Sequence, residues 1–197
     1  MKAAQLTLLL LLTYFLQGQQ AKKTDTAYYR FALSNSQTAK PFGKLSSLVY
    51  KDFHPGVELA YGRSKTKNNH QWLRELVLNY LFHRWVQHNL SLSVNGGYRY
   101  FQTSSWGAKV MLGAGVQGSM PTEKVFDISG NGIKEGQHIV RPQFVASFSV
   151  GLDKKINDRG MTIFLQYQQK VQTPFIKEYV PLLPYNTLML GIGLPVR

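Results

Sequence analysis

Residues Thr187–Arg197 read TLMLGIGLPVR. Successive side chains of a strand point to opposite faces. Leu188, Leu190, Ile192 and Leu194 therefore share one face, and Met189, Gly191 and Gly193 share the other. One face is large and apolar; the opposite face is nearly bare. The same alternation recurs upstream, in segments of about 9–11 residues, the length that carries a tilted strand across a bilayer.

Outward from that closing segment, seven more candidates follow the period of two. The first joins Ser46–Tyr50 to Val57, Leu59 and Tyr61 across Pro55–Gly56, where a proline that cannot donate to the ladder predicts a bulge or a strand start. Leu73–Trp85, Asn89–Phe101 and Trp106–Gln117 come next, then a short, weak candidate at Glu123–Ile128, then His138–Leu152 and Met161–Val171. The apolar face repeats in almost every segment, while the other face uses Gly, Ser, Asn, Gln and single charges. Tyr98, Tyr100, Trp72, Trp85 and Trp106 gather near strand ends, as interfacial girdles do. The pattern predicts an all-β chain, an eight-stranded antiparallel up-and-down transmembrane β-barrel.

Lys2 followed by the apolar run Leu6–Leu16 and the small residues Gly18 and Ala21 predicts a signal peptide over 1–21. The run falls short of the roughly 20 apolar residues of a spanning helix. Residues 22–43, rich in Thr, Ser, Asn and Gln, read as a polar lead-in, and 44–197 as the barrel. The mean hydropathy of −0.21 is compatible with this, because half of each barrel strand faces a polar interior. The chain has no cysteine, so the fold rests on its hydrogen-bond ladder, which closure completes by giving every strand two neighbours. The formal charge is +13, and Lys2 is the only charged residue among 1–21, so an exported chain keeps +12. That charge suits the phosphates of outer-membrane lipid and lipopolysaccharide; nucleic acid is not a partner of an exported chain.

With a periplasmic N-terminus, this strand list puts the connections at 87–89, 118–122 and 153–160 in the periplasm. Those at 64–71, 102–105, 129–137 and 172–186 then lie outside. Eight strands leave an interior that side chains fill, so a diffusion pore is excluded. Glu58, Glu75, His83, Arg99 and Lys109 face inward and are expected to form a buried polar network, with Glu75–Arg99 the preferred ion pair on adjacent strands. The last outer loop carries Phe175, Ile176, Tyr179, Val180, Leu182 and Leu183 among three prolines, which makes it a candidate partner-docking loop.

Chemistry finds little support. No histidine stands in a His-x-Ser arrangement like that of the lipid A deacylase barrels. His83 and Glu75 share a strand face but lie eight residues, or about 26 Å, apart. DISGNGIKE at 127–135 does not follow the register of a calcium loop and reads as a turn. No catalytic residue, cofactor or metal site is expected.

The segments HPGVELAYGRS, LNYLFHRWVQHNLSLSVNGGYRY, GAKVMLGAGVQGSMP, FLQYQQKVQTPF and LPYNTLMLGIGLP, spanning Phe53 to the C-terminus, resemble a family of small outer-membrane barrels of Bacteroidota, mostly of unassigned function. His54–Pro55–Gly56, Tyr98–Arg99 and Pro174–Phe175 are the most characteristic motifs. The resemblance implies an outer-membrane location. It also hints at partnership with a larger machine, a TonB-dependent transporter or the barrel-assembly machinery. The expectation is a non-enzymatic accessory or structural subunit. The alternatives are a barrel that binds or modifies lipid A, and a soluble lipocalin-like binder.

Overall fold

The computed structural model describes residues 24–38, 48, 53–67, 69–84, 86–101, 105–122, 126–129, 132–135, 140–175 and 181–196. The expected signal peptide at 1–21 lies outside them. Ten strands are formed among the described residues: β1 (Thr24–Thr38), β2 (Pro55–Lys67), β3 (His70–His83), β4 (Gln87–Phe101), β5 (Trp106–Pro121), β6 (Phe126–Ser129), β7 (Gly132–Glu135), β8 (Arg141–Lys155), β9 (Thr162–Thr173) and β10 (Leu183–Pro195). Eight close into an antiparallel barrel in the order β1-β10-β9-β8-β5-β4-β3-β2, and β6 and β7 form a separate hairpin.

The expected barrel is present, with two changes among the wall strands; of the expected Ser46–Tyr50 stretch only Leu48 is described, and it is helical. Within the expected lead-in at 22–43, Thr24–Thr38 is β1, paired with both β2 and β10, and it closes the barrel. The candidate at Glu123–Ile128 is not a wall strand; its residues 126–128 pair only within the β6–β7 hairpin. One strand missed and one added leave the count at eight. Between the two errors, however, the parity of every connection is reversed. The connections at 68–69, 102–105 and 156–161 share an end with the termini. Those at 39–54, 84–86, 122–140 and 174–182 share the other. Apart from 84–86, the connections opposite the termini are longer than any beside them, the arrangement in which outer-membrane barrels place their short turns in the periplasm and their long loops outside.

The register fixes the shape. From Ser34 the Cα partners run through Met189, Gln166, Gly151, Lys109, Arg99, Gln71 and Thr66 and return to β1 at Thr24, ten residues from the start. With strand spacings of ~3.3 Å per residue and ~4.8 Å between strands, a shear of ten over eight strands tilts the strands by about 40°.

Alternation then sorts the side chains. Leu59, Leu78, Leu92, Leu112, Leu165 and Leu190 are among the large apolar residues exposed on the outer face, a continuous band that is costly in water and suited to hydrocarbon. Trp72, Tyr100 and Trp106 are exposed near the terminal end, where an aromatic girdle belongs; Trp85 lies outside the described residues. Inside, space is short. A Cβ on Gly97 would come within 2.6 Å of the Val110 carbonyl oxygen, so the close approach of β4 and β5 needs glycine there.

Candidate functional site: the filled interior and the loop rim

The interior is layered along the barrel axis. The layer nearest the termini is ionic. Arg30, inward on β1, donates from Nη2 to Glu58 Oε1 at 2.7 Å and Glu75 Oε2 at 2.8 Å, and from Nη1 to Gln166 Oε1 at 2.8 Å. The Tyr28 hydroxyl donates to Glu75 Oε1 at 2.8 Å. Arg99 donates through Nε to Asp153 Oδ1 at 2.8 Å and through Nη1 to Gln71 Oε1 at 3.0 Å, and its Nη2 forms an ion pair with Asp153 Oδ2. Lys109 Nζ lies 4.2 Å from the centroid of the Phe164 ring, and the Arg30 guanidinium 5.0 Å from the same centroid.

All five sequence-predicted residues of the network point inward, but the preferred pair does not form. Glu75 is registered with Asn95 and Arg99 with Gln71, so the two are offset by four residues, about 13 Å of strand. Their actual partners, Arg30 and Asp153, lay in segments read as a lead-in and a connection. The alternation that would have marked both as inward was legible; Arg30 falls two positions from Tyr28 and from Ala32 on one face of a period-two run.

Toward the loop end the ionic layer gives way to a thin seam in which Ala32, Phe164 and Met189 pack together. Beyond it lies a layer of amides and hydroxyls. Gln172 Oε1 accepts from Gln87 Nε2 at 2.9 Å and from Gln117 Nε2 at 2.8 Å. Gln87 Nε2 also reaches the Tyr185 hydroxyl at 2.7 Å, and Gln143 Nε2 donates to the Pro174 carbonyl at 2.9 Å. Lys170 Nζ donates to Asn79 Oδ1 at 3.0 Å and Ser91 Oγ at 3.3 Å. His54, at the mouth, stacks on His83 with ring centroids 3.8 Å apart.

Two cavities are found among the described residues. The larger, about 130 Å³, opens at the terminal end between Arg30, Glu75, Arg99, Lys109 and Asp153. The smaller, about 10 Å³, lies between Glu58 and Lys170. Neither continues through the amide layer, whose Gln172 is fully buried. The imidazoles and the carboxylates occupy different layers: Glu58 is registered with Asn79, four residues and about 13 Å from His83 along β3. Among the described residues, no three His, Cys, Asp or Glu side chains form a group able to hold a metal ion.

At the loop rim, Phe53, Val140 and Leu182 are more than half exposed. They precede β2, β8 and β10, and so occupy one half of the rim, the arc β8-β9-β10-β1-β2. Phe175 and Leu183 of the expected docking loop are half-buried. Ile176, Tyr179 and Val180 lie outside the described residues.

No family model and no curated protein sequence matches the chain. Solved structures match by fold. Ail, the attachment invasion locus protein of Yersinia pestis, aligns with a TM-score of 0.53 at 15% identity, covering 89% of this chain and 100% of that one. Ail in complex with the heparin analogue sucrose octasulfate aligns with a TM-score of 0.52 at 16% identity, covering 87% and 97%. Neisserial surface protein A aligns with a TM-score of 0.48 at 9% identity, covering 86% and 96%. The fold is that of the small outer-membrane β-barrels. A fold of this kind hosts unrelated functions and assigns none by itself.

Proposed function

We propose that this chain is a non-enzymatic β-barrel of the bacterial outer membrane that acts as an accessory or structural subunit of a larger outer-membrane complex. The machines it would serve are a TonB-dependent transporter or the barrel-assembly machinery. The observation that carries the reading is the filled interior: among the described residues, buried ion pairs and a layer of amides occupy the space a solute would need, which leaves work to the surfaces. The apolar arc of Phe53, Val140 and Leu182 at the loop rim supports docking there, since such residues are costly to leave in water. The resemblance of the sequence to small Bacteroidota barrels, some of them accessory subunits, points the same way. Extraction of the native protein in mild detergent tests it: a stoichiometric partner of high mass is expected. Recovery as a lone barrel, with deletion leaving both import and barrel assembly unchanged, would overturn the reading.

A second reading is favoured by the net positive charge, with exposed Arg141 at the loop rim among its basic residues: binding or modification of lipid A through its phosphates. A lipid A mass spectrum altered by deletion of the protein would select it.

A further inference from the structure

The cavity at the terminal end holds a cation that the ionic layer does not pair. Lys109 lies three residues after the start of β5, faces inward and is 7% exposed. Its stem runs beside Gly151, its register partner on β8, where a Cβ would come within 3.0 Å of Lys109 Cε. The amine rests over Phe164, 4.2 Å from the ring centroid. Among the described residues, no carboxylate oxygen comes within ion-pair distance of it. Phe164 also packs in the seam with Ala32 and Met189, so Lys109 marks the inner end of the cavity.

The carboxylates that line this cavity are already engaged. Glu75 accepts from Tyr28 through Oε1 and from Arg30 through Oε2, and both oxygens of Asp153 bind Arg99. Glu75, Asp153 and Glu58 act on the Lys109 amine only from beyond contact distance. Donors in the same layer are in surplus: Arg30 Nε and Gln166 Nε2 are buried with no acceptor. The charges that line the cavity are Arg30, Arg99 and Lys109 against Glu75 and Asp153. Glu58, the third carboxylate of the layer, lines the smaller cavity instead. The lining is therefore positive by one charge. A buried ammonium without an acceptor is costly, and low-dielectric walls strengthen its attraction for an anion.

The rest of the lining sets the class of anion. One amine offers one charge, and the Glu75 and Asp153 carboxylates oppose a second negative charge on a ligand. Leu73, Pro195 and the Phe164 ring supply apolar wall, and Gly193 leaves room beside it. The volume of about 130 Å³ is many times what one water needs, roughly 10–15 Å³, so a molecule of several heavy atoms fits. The mouth lies at the end of the short turns, which faces the periplasm. We propose that this cavity binds a small aliphatic monocarboxylate from the periplasm, its carboxylate accepting hydrogen bonds from Lys109 Nζ and its chain lying along Leu73 and Pro195. This inference rests on the barrel interior, not on any partner protein.

The test is NMR titration of the exported chain, isotope-labelled and refolded in a non-ionic detergent, with butyrate and with its neutral amide, butyramide. Butyrate is expected to shift the backbone amides around Lys109 and Gly193 saturably, and butyramide to bind at least tenfold more weakly. Lys109→Met should weaken butyrate binding at least tenfold. Gly193→Leu fills the cavity without altering charge, and its Cβ would press only on the Thr162 hydroxyl, at 2.6 Å. It should weaken butyrate severalfold even if the Lys109 variant fails to fold. Lys154→Gln with Lys155→Gln, both exposed at the same end, should leave binding unchanged. The absence of a saturable shift would leave the cavity to water and overturn the proposal. So would butyramide binding as tightly as butyrate, binding unaffected by K109M or by G193L, or a loss in K154Q/K155Q equal to that in K109M. Inorganic phosphate binding as tightly as butyrate would overturn it too, by making charge alone the selector.

Discussion

The ionic layer and the amide layer fill the same barrel in different ways, and the difference decides how each would fail. In the ionic layer, one guanidinium serves two carboxylates: Arg30 of β1 reaches Glu58 of β2 and, beyond it, Glu75 of β3. The two carboxylates share that one guanidinium, so losing Arg30 leaves both charged and buried. In the amide layer, Gln87, Gln117, Gln143 and Gln172 each carry both donors and acceptors. Losing one member leaves neutral groups that can re-pair or take up water. The first layer also borders the 130 Å³ cavity, whereas the second surrounds a fully buried Gln172. The fully buried neutral layer is thus where closure against solute can be tested, and the charged one ties β1 to β2 and β3.

Arg30→Met should break this contrast most sharply. It strands Glu58 and Glu75, and a loss of about 3–5 kcal/mol is expected, read from urea unfolding of the refolded barrel in lipid vesicles. Adding Glu58→Gln and Glu75→Gln should restore most of it; a triple variant as unstable as the single one would show that Arg30 acts through packing instead. Arg99→Gln should cost less, about 2 kcal/mol, because Arg99 and Asp153 border the open cavity and water can replace part of the pair. The same unfolding assay reads this.

Within the amide layer, Gln172→Leu removes the acceptor of two donors and should cost about 1–2 kcal/mol. Its sharper readout is conductance: reconstituted wild-type barrel should hold no open channel, and Gln172→Ala, which enlarges the same point, should be the variant that begins to leak. An equally silent bilayer would place the seal elsewhere, in the seam of Ala32, Phe164 and Met189. The smallest effect is expected for Lys109→Met, under about 1 kcal/mol, since the Lys109 amine rests on the Phe164 ring. A loss as large as that of Arg30 would show that Lys109 offsets the Glu58 and Glu75 carboxylates together with Arg30.

The two layers were unequally legible. The period of two announces which residues face inward, so Glu58, Glu75, His83, Arg99 and Lys109 could be listed from the sequence alone. Pairing could not be listed, because it depends on which strands adjoin and with what register. The misread segments show why. Thr24–Thr38 has the polar composition of a loop, and only two of its outward residues, Tyr29 and Phe31, precede Leu33 as large apolar groups. Glu123–Ile128 imitates a strand, as it partly is, but its hairpin partner lies nearby in sequence and not in the wall. With β1 unseen, the central cation of the ionic layer was unseen as well, and Glu75 was matched to the wrong arginine.

The sequence by itself determined the class of structure: alternation over bilayer-length segments fixes one apolar and one confined face, and the backbone in lipid must close on itself. It also determined the composition of the interior, because the side of each residue follows from parity within its strand. The tertiary structure alone decided closure by β1, the shear of ten, which connections share an end, and the meeting of Arg30 and Lys109 over the Phe164 ring. These are relations between strands distant in sequence. Hydrogen-bond register sets them, and local periodicity carries no information about register once both neighbouring strands share the same period of two.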